Sequence, residues 1–585
     1  MDEKCCEIED LDRLNQQQLM YERVKEVTGK KIMDKSNSIK NDDGKVLMEA
    51  EDVKERWTEY IGELFDDDRP EHLEVRNNEE GPPILRAEVE NAFEKMKRGR
   101  ATADDGIAVE MLAALEDYGM DVITEIASEI YESGEIGPQM YKSIFIPIPK
   151  IPGTLECNNH RTISIMNQIT KIVLKVILNR LRNKILPEIS NEQCGFIKGK
   201  GTRNAIFILR MLTERAIEVN KDLYVCFVDF EKAFDRVKHE NLMKMLEDLN
   251  VDGKDLRLVK NLYWKQEATV RVCNGETRLQ EIRRGVRQGC VMSPDFFNLY
   301  AEIIMRKLID LEGIKVGGVN VNNLRYADDT ALIADSQEKL QNLIDALDKE
   351  GKENGLNINI KKTKVMVVTK DHQSPKIDMN INNQVIEQVD HFNYLGSLVT
   401  FEGRCDEEIR RRIILSKYAY NKNKNLLTNS KISIELRKRF LKCYVWSVLL
   451  YGCESWTMGK EEELRILALE MWLYRRMLKI PWTAKKTNEE VLAMAKAERE
   501  IISNIQQRQM RFLGHILRRD GLEKFVVEGK LEGRKSRGRP RKSYIQNLMN
   551  YTTYKCKGKF IQSAQHRDQW RTMVVNVQQV DKAQR

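Results

Sequence analysis

No apolar run in this 585-residue chain is long enough to cross a bilayer, and it opens on an acidic stretch, MDEKCCEIED, rather than a basic-then-apolar leader. These absences argue against a spanning or exported protein. Its eleven cysteines are scattered, and no C-x-x-C is followed by a second Cys or His pair. Neither a disulfide framework nor a zinc knuckle is indicated, and Cys226 and Cys290 read as small buried residues. Net charge is scarce as well, only +7 from 97 basic and 90 acidic residues. Its distribution is uneven. Residues 1–100 hold 27 acidic against 18 basic residues, and residues 501–585 hold 6 against 19. An acidic front and a basic tail suit a nucleic-acid contact near the C-terminus, although a solvated charged face fits the same counts.

Against this background two acidic segments stand out. In LRYADDTALIA, Asp328 and Asp329 sit between two short apolar runs that read as strands, which puts the pair in a hairpin turn. About a hundred residues earlier, Asp229 ends LYVCFVDF, a run typical of a strand buried on both faces. An acid there needs a partner, because an unpaired buried carboxylate is costly. Hard oxygen ligands suit Mg²⁺, which binds one or two carboxylates together with substrate phosphates. Two such ions can activate a hydroxyl and stabilise departing pyrophosphate, which is nucleotidyl transfer. A lone Asp-Asp pair is more often a solvated turn. A third feature shifts the balance. RRGVRQGCVMSPDFFNLYAEIIMRKL (283–308) reads as a glycine-bearing loop, Ser293 as N-cap, Pro294 at the first helical position, and an amphipathic helix. Gly285 and Gly289 are expected to let backbone approach a ligand, with Arg287 and the helix N-terminus supplying positive potential.

With FIPIPK (145–150), HRTISIMNQITKIVLKVILNRL (160–181), EQCGFIKGKGTRNAI (192–206), GLNINIKKTKVM (355–366) and FNYLGSLVT (392–400), the ordered motifs resemble the reverse transcriptase region of non-LTR (LINE-type) retrotransposons. The resemblance implies an α+β right-hand polymerase with fingers, palm and helical thumb. It implies metal binding by Asp229, Asp328 and Asp329 and by the backbone carbonyl of Phe230. Phe234 matches the aromatic gate that clashes with a 2′-hydroxyl, and Gln288 and Gly289 match a motif packed against the nascent base pair. Lys150 and Arg161 match fingers residues at the triphosphate, where a guanidinium fork suits phosphate. Lys362 is the best match to a lysine that protonates pyrophosphate, with Lys361 a near rival. The implied cofactor is a pair of Mg²⁺ ions, with Mn²⁺ as a substitute. The implied partners are an RNA template, a DNA primer and dNTPs. The expected location is intracellular, the nucleus ahead of the cytoplasm. The departures are GCVMSP with Val291 and Met292 where a proline is usual, Asn204 where an acid is frequent, and TADDGIAVE near 104–110; none touches the metal ligands or the gate.

The organisation read from the sequence is a charged helical linker-like region over 1–75, a helical N-terminal extension over 76–140, fingers and palm over 141–400, a helical thumb over 401–510, and a basic C-terminal region over 511–585. Arg410, Arg411, Arg412, Arg437 and Lys438 are candidates to face a duplex backbone, or else an ordinary charged helix face. The aromatic-rich EMWLYRRMLKIPW (470–482) reads as core. In the last region RGRP resembles an AT-hook core, and Arg537, Arg539 and Arg541 are the nucleic-acid-binding candidates there, with an import signal or a solvated loop as alternatives. No segment ahead of the polymerase resembles the endonuclease of such elements, so a nick made in trans is expected. Oligomeric state is left open. Two rivals remain: a group II intron maturase, which predicts clustered Cys/His after the thumb, and a remnant that binds nucleic acid without polymerising.

Overall fold

The strand Leu223–Val228 organises the molecule. In the computed structural model, which describes residues 2–28, 38–74, 80–533 and 541–583, it is the middle strand of a five-stranded sheet. The order is Asn323–Tyr326, Asp329–Ala334, Leu223–Val228, Lys364–Val368, Glu387–Gln388, antiparallel except for the last pair. Alternate residues of the middle strand enter different cores. Cys226 and Val228 pack with the helices Gln168–Ile185, His239–Asp248, Ser293–Arg306 and Gln337–Glu353; Val225 and Phe227 pack with the helix Thr202–Glu218 and with the C-terminal helices. A strand covered on both faces has no use for polar residues until its end, where Asp229 stands.

A second sheet joins His160–Ile165, Lys142–Pro149 and Glu267–Val272, the last pair parallel. The chain therefore leaves the palm after Asp229 and returns to the fingers before reaching Gly285. Gly289 has φ +120°, and a Cβ there would lie 2.6 Å from the Ser164 carbonyl oxygen; Gly285 has φ +89° and would meet the Asp235 carbonyl at 2.8 Å. Both glycines admit a close approach of the protein's own backbone. Arg287 is likewise internal. It is buried and donates to the carbonyls of Tyr141 and Leu262, so it joins fingers to palm instead of facing solvent. The helix that follows starts at Ser293 itself, one residue earlier than read, with no side-chain cap.

Residues 1–75 are not one linker-like unit. The helices Asp2–Arg13 and Gln17–Val27 put Cys5, Ile8, Met20 and Val24 into the thumb core, whereas Ala50–Phe65 lays Trp57, Ile61 and Phe65 on the fingers sheet. The charged surface was legible, but the apolar stripe of each helix decides where it docks. Residues 84–136 likewise share the palm core through Ile84, Val89, Ile123 and Tyr131.

The thumb runs through Asp406–Lys422, Ile434–Leu441 and Lys460–Met477. Its basic candidates are largely engaged within it. Arg411 and Arg412 pair with the buried Glu408, Arg410 with Asp406, and Arg437 and Lys438 donate to the carbonyls of Met477 and Lys496. The ordinary charged-face reading fits these five residues. Of the aromatic segment, Met471, Leu473, Tyr474 and Met477 are buried, while Trp482 is 91% exposed.

The basic C-terminal region is a folded layer, not a tail. Its first helix, Ile501–Leu517, straddles the expected boundary at 510 because Met510, Leu513 and Leu517 form one apolar face on the far side of the palm. The Trp570 ring, from the helix Arg567–Ala583, lies against Gly514, and its Nε1 donates to the Met510 carbonyl at 2.9 Å. A Cβ at Gly514 would collide with the indole. Gly514→Ala should therefore lower unfolding stability by about 1–3 kcal/mol, the usual cost of overpacking. Chemical denaturation measures it; an unchanged midpoint would mean this layer is not docked on the palm.

Candidate active site at the end of the palm sheet

Strand register brings the acids together. Tyr326 pairs with Asp329, leaving Ala327 and Asp328 as the turn. Only Asp328 thus occupies the hairpin turn, and Asp329 opens the returning strand. Thr330 pairs with Val228, so continuing the ladder sets Asp329 opposite Asp229 and Asp328 opposite Phe230. On the other flank Lys364 pairs with Phe227; the chain ahead of it turns at 360–362, and from that turn Lys362 Nζ comes within 3.5 Å of Asp229 Oδ2. Lys361 instead offers its carbonyl to Lys364 Nζ. Phe230 bridges Ile358, and the flanking bonds run from Glu231 N to Asn357 O and from Asn359 N to Asp229 O. That pattern turns the N–H and C=O of Phe230 away from Ile358, toward the Asp328 side.

The turn itself is held under constraint. Ala327 has φ +57°, and its N–H donates to Oε1 of the fully buried Gln193 at 2.9 Å. Behind it, Arg325 pairs with Glu302 at 2.9 Å with both side chains buried, and also donates to Ser190. Breaking such a pair typically costs about 3–5 kcal/mol, which makes the turn a poor candidate for free movement.

Electrostatics follow from this crowding. Partial desolvation pushes the Asp329 carboxyl up to about 6, aided by Asp328 and Asp229 and opposed by Arg161. Asp328 is raised by burial and by Asp229, against its own N–H, Arg161 and Lys150. Lys150 is lowered, first by desolvation and then by Lys362, while Asp235 and Asp229 favour its charge. Three cations, Lys150, Arg161 and Lys362, therefore border the acids. Carboxylate oxygens are hard donors suited to a divalent cation, although among the described residues no group of three His, Cys, Asp or Glu stands close enough to hold one unaided.

The Phe234 ring stacks on Phe297 with centroids 4.2 Å apart and planes at 15°, and meets Phe196 edge-on at 6.2 Å. Gln288 is placed by contacts within the protein. Its Nε2 donates to Asp235 Oδ1 at 2.8 Å and its carbonyl accepts from Ser164 N, so with Gly289 it forms a fingers–palm seam. Of the C-terminal candidates, Arg537 and Arg539 lie outside the described residues. Arg541 donates to the carbonyls of Glu402 and Gly403, and so ties its segment to the start of the thumb.

Several residues at the site were not singled out from the sequence. Asp235 is buried and pushed up to about 6 by desolvation, offset by Gln288, Lys232 and Lys150. Lys232 is brought down to about 8 by desolvation; its Nζ donates to Asn158 at 2.6 Å and to the Tyr60 hydroxyl. Asp235 and Lys232 lie within FVDFEKAFD, and Gln193 and Phe196 within EQCGFIKGKG, so the motifs themselves were the available signal. Tyr60 comes from a helix with no such mark.

A pH dependence follows for Asp235. Its folded-state value of about 6 exceeds the ordinary 3.8, so the folded form holds the proton more tightly. Stability should fall as pH rises from 3.8 to about 6 and then level off. Asp235→Asn removes that loss: it should stabilise the protein by roughly 2–3 kcal/mol above that window and leave it unchanged below. Urea titrations at the two extremes check this, and an equal effect at both would contradict the assignment.

The family model described as reverse transcriptase (RNA-dependent DNA polymerase) matches residues 148–399. The Pol polyprotein of retrotransposable element R2 from Nasonia vitripennis is 25% identical over 336 residues, covering 56% of this chain and 32% of that protein. The RNA-directed DNA polymerase of mobile element jockey from Drosophila melanogaster is 24% identical over 451 residues, covering 72% and 47%. The chain thus spans less than half the length of either relative. Apo telomerase from Candida tropicalis overlaps with TM-score 0.35 at 13% identity, over 71% of this chain and 73% of that one, a likeness too slight to argue from. The motifs, the sheet that gathers the acids and the matching family model make residues 148–399 a reverse transcriptase domain of the non-LTR retrotransposon type.

Proposed function

We propose that the chain copies RNA into DNA, extending a DNA primer with dNTPs. The observation that carries this reading is Asp329 at the start of one strand and Asp229 just past the end of its neighbour, with Lys362 Nζ 3.5 Å from Asp229, Asp328 in the adjoining turn, and Lys150 and Arg161 near Asp328. Asp229, Asp328 and Asp329, together with the Phe230 carbonyl, would hold two Mg²⁺ ions, which would supply activation of the primer 3′-hydroxyl and neutralisation of the triphosphate. Lys150 and Arg161 orient the triphosphate. As the 3′-hydroxyl releases its proton to solvent and its oxygen bonds to the α-phosphorus, the bond to the β-phosphate oxygen breaks and Lys362 gives its proton to the departing pyrophosphate. Phe234 fills the space a 2′-hydroxyl would need, so the product is DNA.

The nucleic-acid backbone needs cations that the protein does not itself neutralise. Lys198, Arg203, Arg511 and Arg519 are exposed, and none has an ion-pair partner among the described residues. Arg203, Arg518 and Arg519 gather round His515, whose pKa is lowered first by desolvation and then by Arg519, Arg203 and Arg518. The loop bearing Lys198 is continuous with Gln193, which bonds the catalytic turn. This patch suits phosphate contacts.

Primer extension on an RNA template with Mg²⁺ tests the reading. The protein should add dNTPs and reject rNTPs, and Asp328→Ala/Asp329→Ala should lose at least about a thousandfold in rate while still binding primer–template. Folded wild-type protein that binds primer–template without extending it would favour the non-polymerising remnant.

A further inference from the structure

A steric gate selects only if it cannot yield, and one residue beside the gate has an unusual backbone. Phe196 has φ +58°, a left-handed conformation that a bulky residue rarely adopts, and its side chain is half exposed, so burial does not account for it. The surroundings impose this geometry. Gly195 N donates to Gln193 Oε1 at 2.7 Å, and the buried Asn298 donates through Nδ2 to the Gly195 carbonyl at 2.9 Å. A Cβ at Gly195 would collide with the Ala327 amide. The peptide before Phe196 is thus fixed from the catalytic turn on one side and from the helix Ser293–Arg306 on the other.

The consequence is where the ring goes. Phe196 meets Phe234 edge-on, with centroids 6.2 Å apart and planes at 84°, while Phe297, next to Asn298 on the same helix, stacks on Phe234 at 4.2 Å and 15°. Phe234 is held between two rings in the two geometries aromatic pairs prefer. Strain kept in place by an over-determined backbone is a mark of functional positions.

We infer that Phe196 is a specificity-determining residue that acts through Phe234: it clamps the gate ring so that a ribonucleotide's 2′-hydroxyl cannot push it aside. This rests on the polymerase reading and on Phe234 as its gate. The substrate class it governs is the nucleoside triphosphate sugar. The role is one of positioning, since Phe196 need not touch the reacting atoms.

Glycine at 196 separates fold from function, because it removes the ring and relieves the left-handed backbone. Single-nucleotide incorporation on an RNA-templated primer, with a dNTP and the matching rNTP, is measured for the wild type and for Phe196→Gly, Phe196→Leu, Phe196→Tyr and Phe234→Val. Phe196→Gly should melt no lower than the wild type, and its dNTP-to-rNTP ratio of kcat/KM should fall about 3- to 10-fold, the worth of one aromatic pair. Phe196→Leu, which keeps bulk without a ring, should fall likewise, and Phe196→Tyr should retain the wild-type ratio. Should Phe196→Gly not fold, Phe196→Leu carries the test. A wild-type ratio in Phe196→Gly or Phe196→Leu, with discrimination lost in Phe234→Val, overturns this inference alone. Discrimination unaffected in Phe234→Val overturns the gate reading and this inference with it.

Discussion

Negative charge crowded into a partly desolvated notch is the constraint on which the rest of this structure depends. Asp229, Asp328 and Asp329 stand at the ends of neighbouring strands, where desolvation and mutual repulsion both oppose ionisation of Asp328 and Asp329. A protein left alone would relieve this by letting the turn open or the acids splay. Here the ladder that ends at Thr330 and Val228 fixes the strands that carry them, and the surrounding cations, Lys150, Arg161 and Lys362, compensate in part. What remains is a site whose energy falls when positive charge and phosphate arrive together. In the proposed reading such a site is preorganised for the transferring triphosphate, and no reorganisation is needed at the moment of reaction.

Rigidity is supplied from behind. The buried Arg325–Glu302 pair and the side chain of Gln193 hold the catalytic turn from the palm side. Gly289 and Gln288 bind the fingers to the palm through Ser164, and the helix Ala50–Phe65 reaches the site through Tyr60 and Lys232. The C-terminal layer closes the far face of the sheet. Segments distant in sequence thus bear on one sheet end, in keeping with an active site that must hold like charges together.

The parts legible in the sequence were those written locally. LYVCFVDF declared a strand covered on both faces, and YADD declared a hairpin between strands. The ordered motifs carried the family. What stayed illegible depends on partners far along the chain. Arg287 looked like a free cation because nothing in RRGVRQGC reveals the Tyr141 and Leu262 carbonyls it meets. Glycines 285 and 289 were read correctly as sites of close approach, but the approaching group is backbone of Asp235 and Ser164. Charge counts exposed the basic character of the C-terminal region and hid its apolar stripe, so a packed layer was taken for a basic tail. Asp235 and Phe196 lie inside these motifs, yet their environments, a part-buried Gln288 contact and a left-handed backbone, arise only on folding.

The central claim is that the acids at the sheet end repel one another and that a divalent cation relieves them. It is tested most directly by thermal unfolding of the wild type and Asp329→Asn near neutral pH, each with and without Mg²⁺. The account predicts that the variant melts higher than the wild type without metal, and that Mg²⁺ raises the wild type but not the variant. A variant that melts lower without metal, and that responds to Mg²⁺ as the wild type does, would contradict it.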